Sequence, residues 1–215
     1  MSDVEKGHGS SIHNVARPVP GAHIANPGAL GLLAFASTTF MLSFYNVQVD
    51  GITHPNAVVG MALFYGGLAQ LLAGMWEFPR GNTFGATAFS SYGAFWLSYA
   101  VVLWPSSGII AAFEDPKELD KALGIYLFSW FIITFIFLIV SLRKSVGFIT
   151  LLFCLDLTFL LLGAGNFVTN HNVTKAGGGV GILTAFIAYY IGLSDMLAAE
   201  RAAVIGLPVG VFKHD

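Results

Sequence analysis

Long apolar stretches alternate with short polar breaks along the 215 residues of this chain. Six such stretches cover residues 30–47, 56–75, 86–104, 122–142, 146–164 and 178–193. Each comes close to the roughly 20 residues a helix needs to cross about 30 Å of hydrocarbon at about 1.5 Å rise per residue. None shows the apolar–polar alternation over about ten residues that marks a membrane β-strand. The pattern predicts an all-α integral membrane protein, a bundle of six crossing helices. Asn26-Pro27 reads as the start of the first helix, because an Asn side chain caps and Pro fits a first turn. The longest connection, residues 105–120, carries Glu114-Asp115-Pro116, a turn or helix start at the membrane surface.

The flanks divide the chain further. Residues 1–25 read as a flexible cytoplasmic N-terminal tail, residues 26–200 as the six-helix transport domain and residues 201–215 as a C-terminal cytoplasmic tail. The first tail is rich in Gly and Pro and has little to bury. It has no apolar core, so no cleavable leader is expected and the first helix acts as its own insertion signal. Its histidines, His8, His13 and His23, share no helical face, which argues against a metal site. In the second tail, Pro208 and Gly210 oppose a continuous helix.

Composition strengthens the membrane assignment. The chain is 55% hydrophobic and 10% charged, against roughly 25% charged in an ordinary soluble domain. Mean hydropathy is +0.73. A soluble chain of this length has too little volume to hide six such helices. The net charge of −2 offers nothing to nucleic acid, and one cysteine, Cys154, excludes an intrachain disulfide and a Cys-based zinc site. An even number of crossings puts both termini on one side. Lys6, Arg17, Arg80, Arg143, Lys144, Arg201 and Lys213 fall on that side, and only Lys117, Lys121 and Lys175 on the other. The positive-inside rule then predicts cytoplasmic termini; the expected location is the plasma membrane, as a multi-pass protein. Asn172-Val173-Thr174 would be a sequon in an outward loop, close to the bilayer.

The spans are nearly free of ionisable groups. Asp156 is the one carboxylate well inside a span, with Glu77 and Asp195 at helix ends. A bare carboxylate in hydrocarbon costs roughly 2.5–3.5 kcal/mol on insertion scales, so Asp156 should face water or a polar partner, such as an Asn or Tyr of an adjacent helix, rather than lipid. The other polar groups are hydroxyls, amides and aromatics. They suit a small solute that gives up part of its water; helix–helix hydrogen bonding is their competing role. Many of the 25 glycines lie in or beside the spans, predicting close helix packing. No Ser–His–Asp set, His-Glu-x-x-His pattern, phosphate loop or pair of catalytic carboxylates appears, so no enzyme activity and no cofactor are expected.

Two segments carry more specific information. Asn26-Pro27-Gly28-Ala29-Leu30-Gly31-Leu32 resembles the Asn-Pro-Ala-Pro-Leu-Gly-Leu signature of the acetate uptake transporter family, with Gly28 and Ala29 as departures. That family includes bacterial succinate–acetate permeases and fungal acetate and ammonia-transport-outward proteins. The runs Phe64-Tyr65-Gly66-Gly67 with Gln70, Gly74 and Glu77, and Gly81 to Trp96, are similar to it as well, and Asn166 matches a fifth-helix position. The resemblance covers residues 25–200. It implies a six-helix protomer of a cyclic homo-hexamer, each protomer conducting acetate and related monocarboxylates. The central hole of such a ring should be apolar and lipid-filled or plugged, because no span offers a charged ring to line an aqueous pore. The resemblance also implies a constriction formed by Phe35, Tyr92 and Leu155. Asn26, Pro27, Leu30, Thr38, Asn46, Gln70, Thr87, Ser91, Trp96 and Asn166 are the further candidates for lining the route or binding substrate. Asp156, beside Leu155, departs from the family pattern.

The expected function is therefore a channel or transporter for acetate, with succinate, formate, propionate and lactate as further candidate substrates. The alternative is a channel for a small neutral solute such as urea, a short amide or ammonia, which would carry no charge. A membrane sensor without transport is the third reading, opposed by the shortness of both tails.

Overall fold

The computed structural model describes residues 24–212. Nearly all of the expected N-terminal tail, including its three histidines, lies outside the described residues, as does Lys213. Six helices are long and apolar enough to cross a membrane: α1 Gly28–Asn46, α2 Val58–Glu77, α3 Thr83–Leu103, α4 Pro116–Ser141, α5 Val146–Phe167 and α6 His171–Ala199. Among the described residues no strand forms; the one β-type contact is an isolated bridge between Ser145 and Val211.

Local chemistry sets the helix starts. The Asn26 side chain accepts the Gly28 N–H at 3.0 Å, so the amide that opens α1 is not free for an anion. Asn82 caps α3 through the Gly85 N–H at 3.1 Å. Asp115 accepts from the Lys117 N–H at 2.9 Å, with Pro116 in the first turn of α4. Ser145 caps α5 and Asn170 caps α6. Each cap satisfies one of the amide donors that a helix start leaves without an internal partner. Because α6 starts at His171, the sequon residue Asn172 stands in its first turn rather than in a loop.

Helix α1 packs along α6, α3 along α2, and α5 between α4 and α6. Small residues make the close approaches. A Cβ on Gly93 would stand 2.7 Å from the Leu71 backbone nitrogen, and one on Gly181 would strike Ser43. Helix α2 is interrupted by a π-turn over Phe64–Ala69. Its wider turn re-phases the second half of the helix, and such turns recur at functional positions. Here the turn is followed directly by Gln70, which is fully buried and faces an internal cavity. Ile132, Phe135, Ile136 and Ile139 of α4 face outward, as apolar side chains do where the solvent is lipid.

After α6 the chain does not continue as a helix. Residues 207–212 turn back across the start of α5.

Candidate functional site

Two internal cavities enter the bundle from opposite ends. The inner one, about 450 Å³, is lined at its mouth by helix ends on the side of the termini, among them Asn26, Glu77, Arg80, Asn82 and Asp195. The outer one, about 140 Å³, is lined at its mouth by Asn46, Asn166 and Thr174 at the opposite helix ends. Phe35 belongs to the walls of both. Tyr92 lines the inner cavity and Leu155 the outer. The Phe35 and Tyr92 rings lie 5.6 Å apart, tilted by 48°.

The three residues share a level because of where their helices begin. They stand seven, nine and nine residues beyond the starts at Gly28, Thr83 and Val146. At about 1.5 Å per residue that is roughly 10–14 Å from the inner helix ends. All three are at most 4% exposed. The Tyr92 hydroxyl shares a 3.1 Å hydrogen bond with Thr134 of α4, which fixes the orientation of the ring.

Unpartnered polar atoms mark the cavity walls. Among the described residues, the buried side-chain polar atoms without a protein partner are Thr39 Oγ1, both amide atoms of Gln70, Trp96 Nε1 and Asp156 Oδ1. Buried polar groups are normally paired, so each exception asks for a reason. Gln70 faces the inner cavity; Thr39 and Trp96 face the outer. These groups supply an indole N–H, a hydroxyl and an amide NH₂, donors that a carboxylate, an acceptor-only group, can use. Gln70 also offers a carbonyl, which matches the O–H of a protonated acid.

The inner mouth is polar and tightly connected. Arg80 reaches Glu77 at 3.3 Å and donates to Asn26 Oδ1 at 2.6 Å. Asn82 donates to Glu77 Oε2 at 3.0 Å, and Asn26 to Asp195 Oδ2 at 3.5 Å. This network ties the ends of α1, α2, α3 and α6 together. Arg143 and Lys144 add positive charge to the same mouth, with the Lys144 ammonium 4.5 Å above the Phe84 ring. The outer cavity is walled by aromatics around Phe95, which contacts Tyr126 at 5.9 Å and Phe159 at 5.3 Å between centroids.

The candidates from the sequence therefore divide. Asn26 and Gln70 line the inner cavity; Asn46, Trp96 and Asn166 line the outer. Pro27, Leu30, Thr38, Thr87 and Ser91 line neither. Leu30 is 43% exposed on the outer surface. Thr38 is buried with its hydroxyl turned back to the Ala34 carbonyl at 2.9 Å, and it is where a Cβ on Gly66 would strike. Thr87 is exposed and bonds the Thr83 carbonyl at 2.8 Å. These hydroxyls satisfy their own helices rather than a pathway. Asp156 is 7% exposed, hence not bare to lipid, but no Asn or Tyr of an adjacent helix bonds it: its Oδ1 has no hydrogen-bond partner among the described residues.

Of the aromatic wall the sequence singled out only Trp96, and of the mouth network only Asn26; Phe95, Tyr99, Tyr126 and Phe159, and Glu77, Arg80, Asn82 and Asp195, were not read as site residues. The row Phe95, Trp96 and Tyr99, at helical spacing, was the available signal for the wall.

A family model described as the GPR1/FUN34/yaaH family matches residues 8–213. The chain belongs to that family. Accumulation of dyads protein 2 of Saccharomyces cerevisiae is 46% identical over 208 residues, covering 96% of this chain and 74% of that protein. Acetate permease A of Emericella nidulans is 46% identical over 207 residues, covering 91% of this chain and 69% of that protein. A solved structure, that of the bacterial acetate channel SatP, is similar with a TM-score of 0.77 and 33% identity, over 87% of this chain and all of that one. The relatives named by activity are a permease and a channel rather than enzymes, and the family membership agrees with the resemblance read from the Asn26 and Gly81–Trp96 segments.

Proposed function

We propose that this chain conducts acetate and related small monocarboxylates across the plasma membrane, each protomer of a homo-hexamer providing its own route. The observation that carries the reading is the pair of opposed cavities that share Phe35, with unpartnered donors on either side of it. The solute enters from one mouth and exchanges part of its water for Gln70 on one side or for Trp96 and Thr39 on the other. It crosses an apolar partition at Phe35, Tyr92 and Leu155. A dry apolar ring opposes ion flux, so this partition sets the rate. With cytoplasmic termini, the wider cavity faces the cytoplasm, and Arg143 and Lys144 draw anions to it. Succinate, with two charged ends, meets a second desolvation cost in the smaller outer cavity and should pass more slowly than acetate.

Uptake of labelled acetate by reconstituted liposomes tests the reading. Saturable uptake, competed by propionate and formate, is the expected result. Liposomes that pass urea or ammonia but exclude acetate would replace it with the neutral-solute reading.

A further inference from the structure

The C-terminal segment, residues 207–212, forms one wall of the inner cavity. Val209 and Val211 line it, between the mouth charges Arg143 and Lys144 and the start of α5. The segment is held by five hydrogen bonds, all to its backbone. The Val146 and Gly147 N–H groups donate to the Gly210 and Val209 carbonyls, each at 2.9 Å, and the Phe212 N–H donates to the Lys144 carbonyl at 3.1 Å. Ser194 and Tyr190 of α6 add hydroxyl bonds to the Leu207 and Pro208 carbonyls, at 2.7 and 2.9 Å.

These contacts complete the donor inventory at the start of α5. The Phe148 N–H goes to the Ser145 side chain at 3.2 Å, and the two amides before it go to the segment. Helix starts leave such donors free unless something covers them. A short strap covers them here, joined to α6 by a solvent-exposed connection. The residues before it are exposed, Val204 at 94%. Gly210 holds φ +65°, and a Cβ there would stand 3.0 Å from Val146 Cβ. If the strap lifts, the cavity loses the Val209 and Val211 wall, and the Val146 and Gly147 donors open toward the mouth beside Arg143 and Lys144. An incoming carboxylate and the strap carbonyls then compete for the same donors.

We infer that residues 207–212 are a displaceable strap whose seating on the start of α5 narrows the inner cavity and limits passage through it. The inference rests on the transport reading above for its substrate, and on the strap geometry for its mechanism.

The bridge between Ser145 and Val211 provides a lock. The flanking bonds, from Val146 to Gly210 and from Phe212 to Lys144, make it a non-hydrogen-bonded antiparallel pair. Such pairs have Cα atoms about 4.5 Å apart, within disulfide reach. In a Cys154→Ser background, Ser145→Cys with Val211→Cys should carry acetate about tenfold more slowly when oxidised than when reduced, and each single substitution should ignore the redox state. Equal flux in the two states, with cross-linking complete by intact mass, would overturn the inference. Gly210→Ala acts in the opposite sense, because a side chain in the left-handed region disfavours the seated form. Faster hydrogen exchange at the Val146 and Gly147 amides is expected. So is faster reaction of a small thiol reagent with Ala88→Cys on the cavity wall. Faster exchange with unchanged thiol reactivity would overturn the strap as a gate. The thiol reaction needs no acetate, so if the chain carried none, the transport reading would fail while the strap was still judged.

Discussion

Replacing Gln70 by Leu should separate stability from transport. Gln70 is fully buried, and neither amide atom has a protein partner. A buried polar group left unpaired costs about 1–3 kcal/mol. Leu is similar in volume and has nothing to satisfy, so Gln70→Leu should be more stable than the parent by that order, read as a raised thermal unfolding midpoint in detergent without substrate. Transport should move the other way. A hydrogen bond to a charged group contributes about 1.5–3 kcal/mol. At about 1.4 kcal/mol per factor of ten, its loss weakens the apparent acetate affinity by roughly 10–150-fold. The assay is the concentration dependence of labelled acetate uptake into liposomes, paired with the unfolding midpoint. A variant that loses stability would show that the amide is satisfied in the native protein. Unchanged acetate affinity would show that Gln70 does not touch the permeating solute.

Asn82→Ala removes both the cap on the Gly85 N–H and a donor to the buried Glu77 carboxylate; a loss of about 1–3 kcal/mol is expected by thermal unfolding. Gly181→Leu drives a side chain into Ser43 at the α1–α6 contact, and size-exclusion chromatography should show aggregated rather than folded protein. Asp156→Leu removes a buried carboxylate with an unpaired oxygen, so the unfolding midpoint should rise or hold; a clear fall would show that the carboxylate is satisfied in the native protein.

Hydropathy located all six helices, since lipid imposes one length scale on every span. It located their ends less well. Helix α6 begins at His171, seven residues before the apolar stretch, because its polar first turns extend beyond hydrocarbon and are capped by Asn170. Helix α4 begins at Pro116 for the same reason, and there the Glu114-Asp115-Pro116 signal was readable. The π-turn at Phe64–Ala69 left no hydropathy trace, although Gly66 and Gly67 sit within it. Residues pointing inward at mid-depth, such as Phe35 and Gln70, were legible from motif likeness. Thr38 and Thr87 were not distinguishable from pathway hydroxyls, because a hydroxyl that bonds its own helix has the same sequence signature as one that faces water. The unpartnered atoms of Thr39 and Trp96 could be found only from packing.

Passage of the solute across the partition at Phe35, Tyr92 and Leu155 is tested most directly by labelled acetate uptake into liposomes carrying Leu155→Trp. Leu155 is buried at the outer side of that partition, and a larger ring there should fill the gap between the two cavities. Uptake should fall to the level of protein-free liposomes, from protein whose elution volume and helix content match the parent. Uptake at the parental rate would contradict it, because the solute would then be crossing the membrane somewhere other than between these cavities.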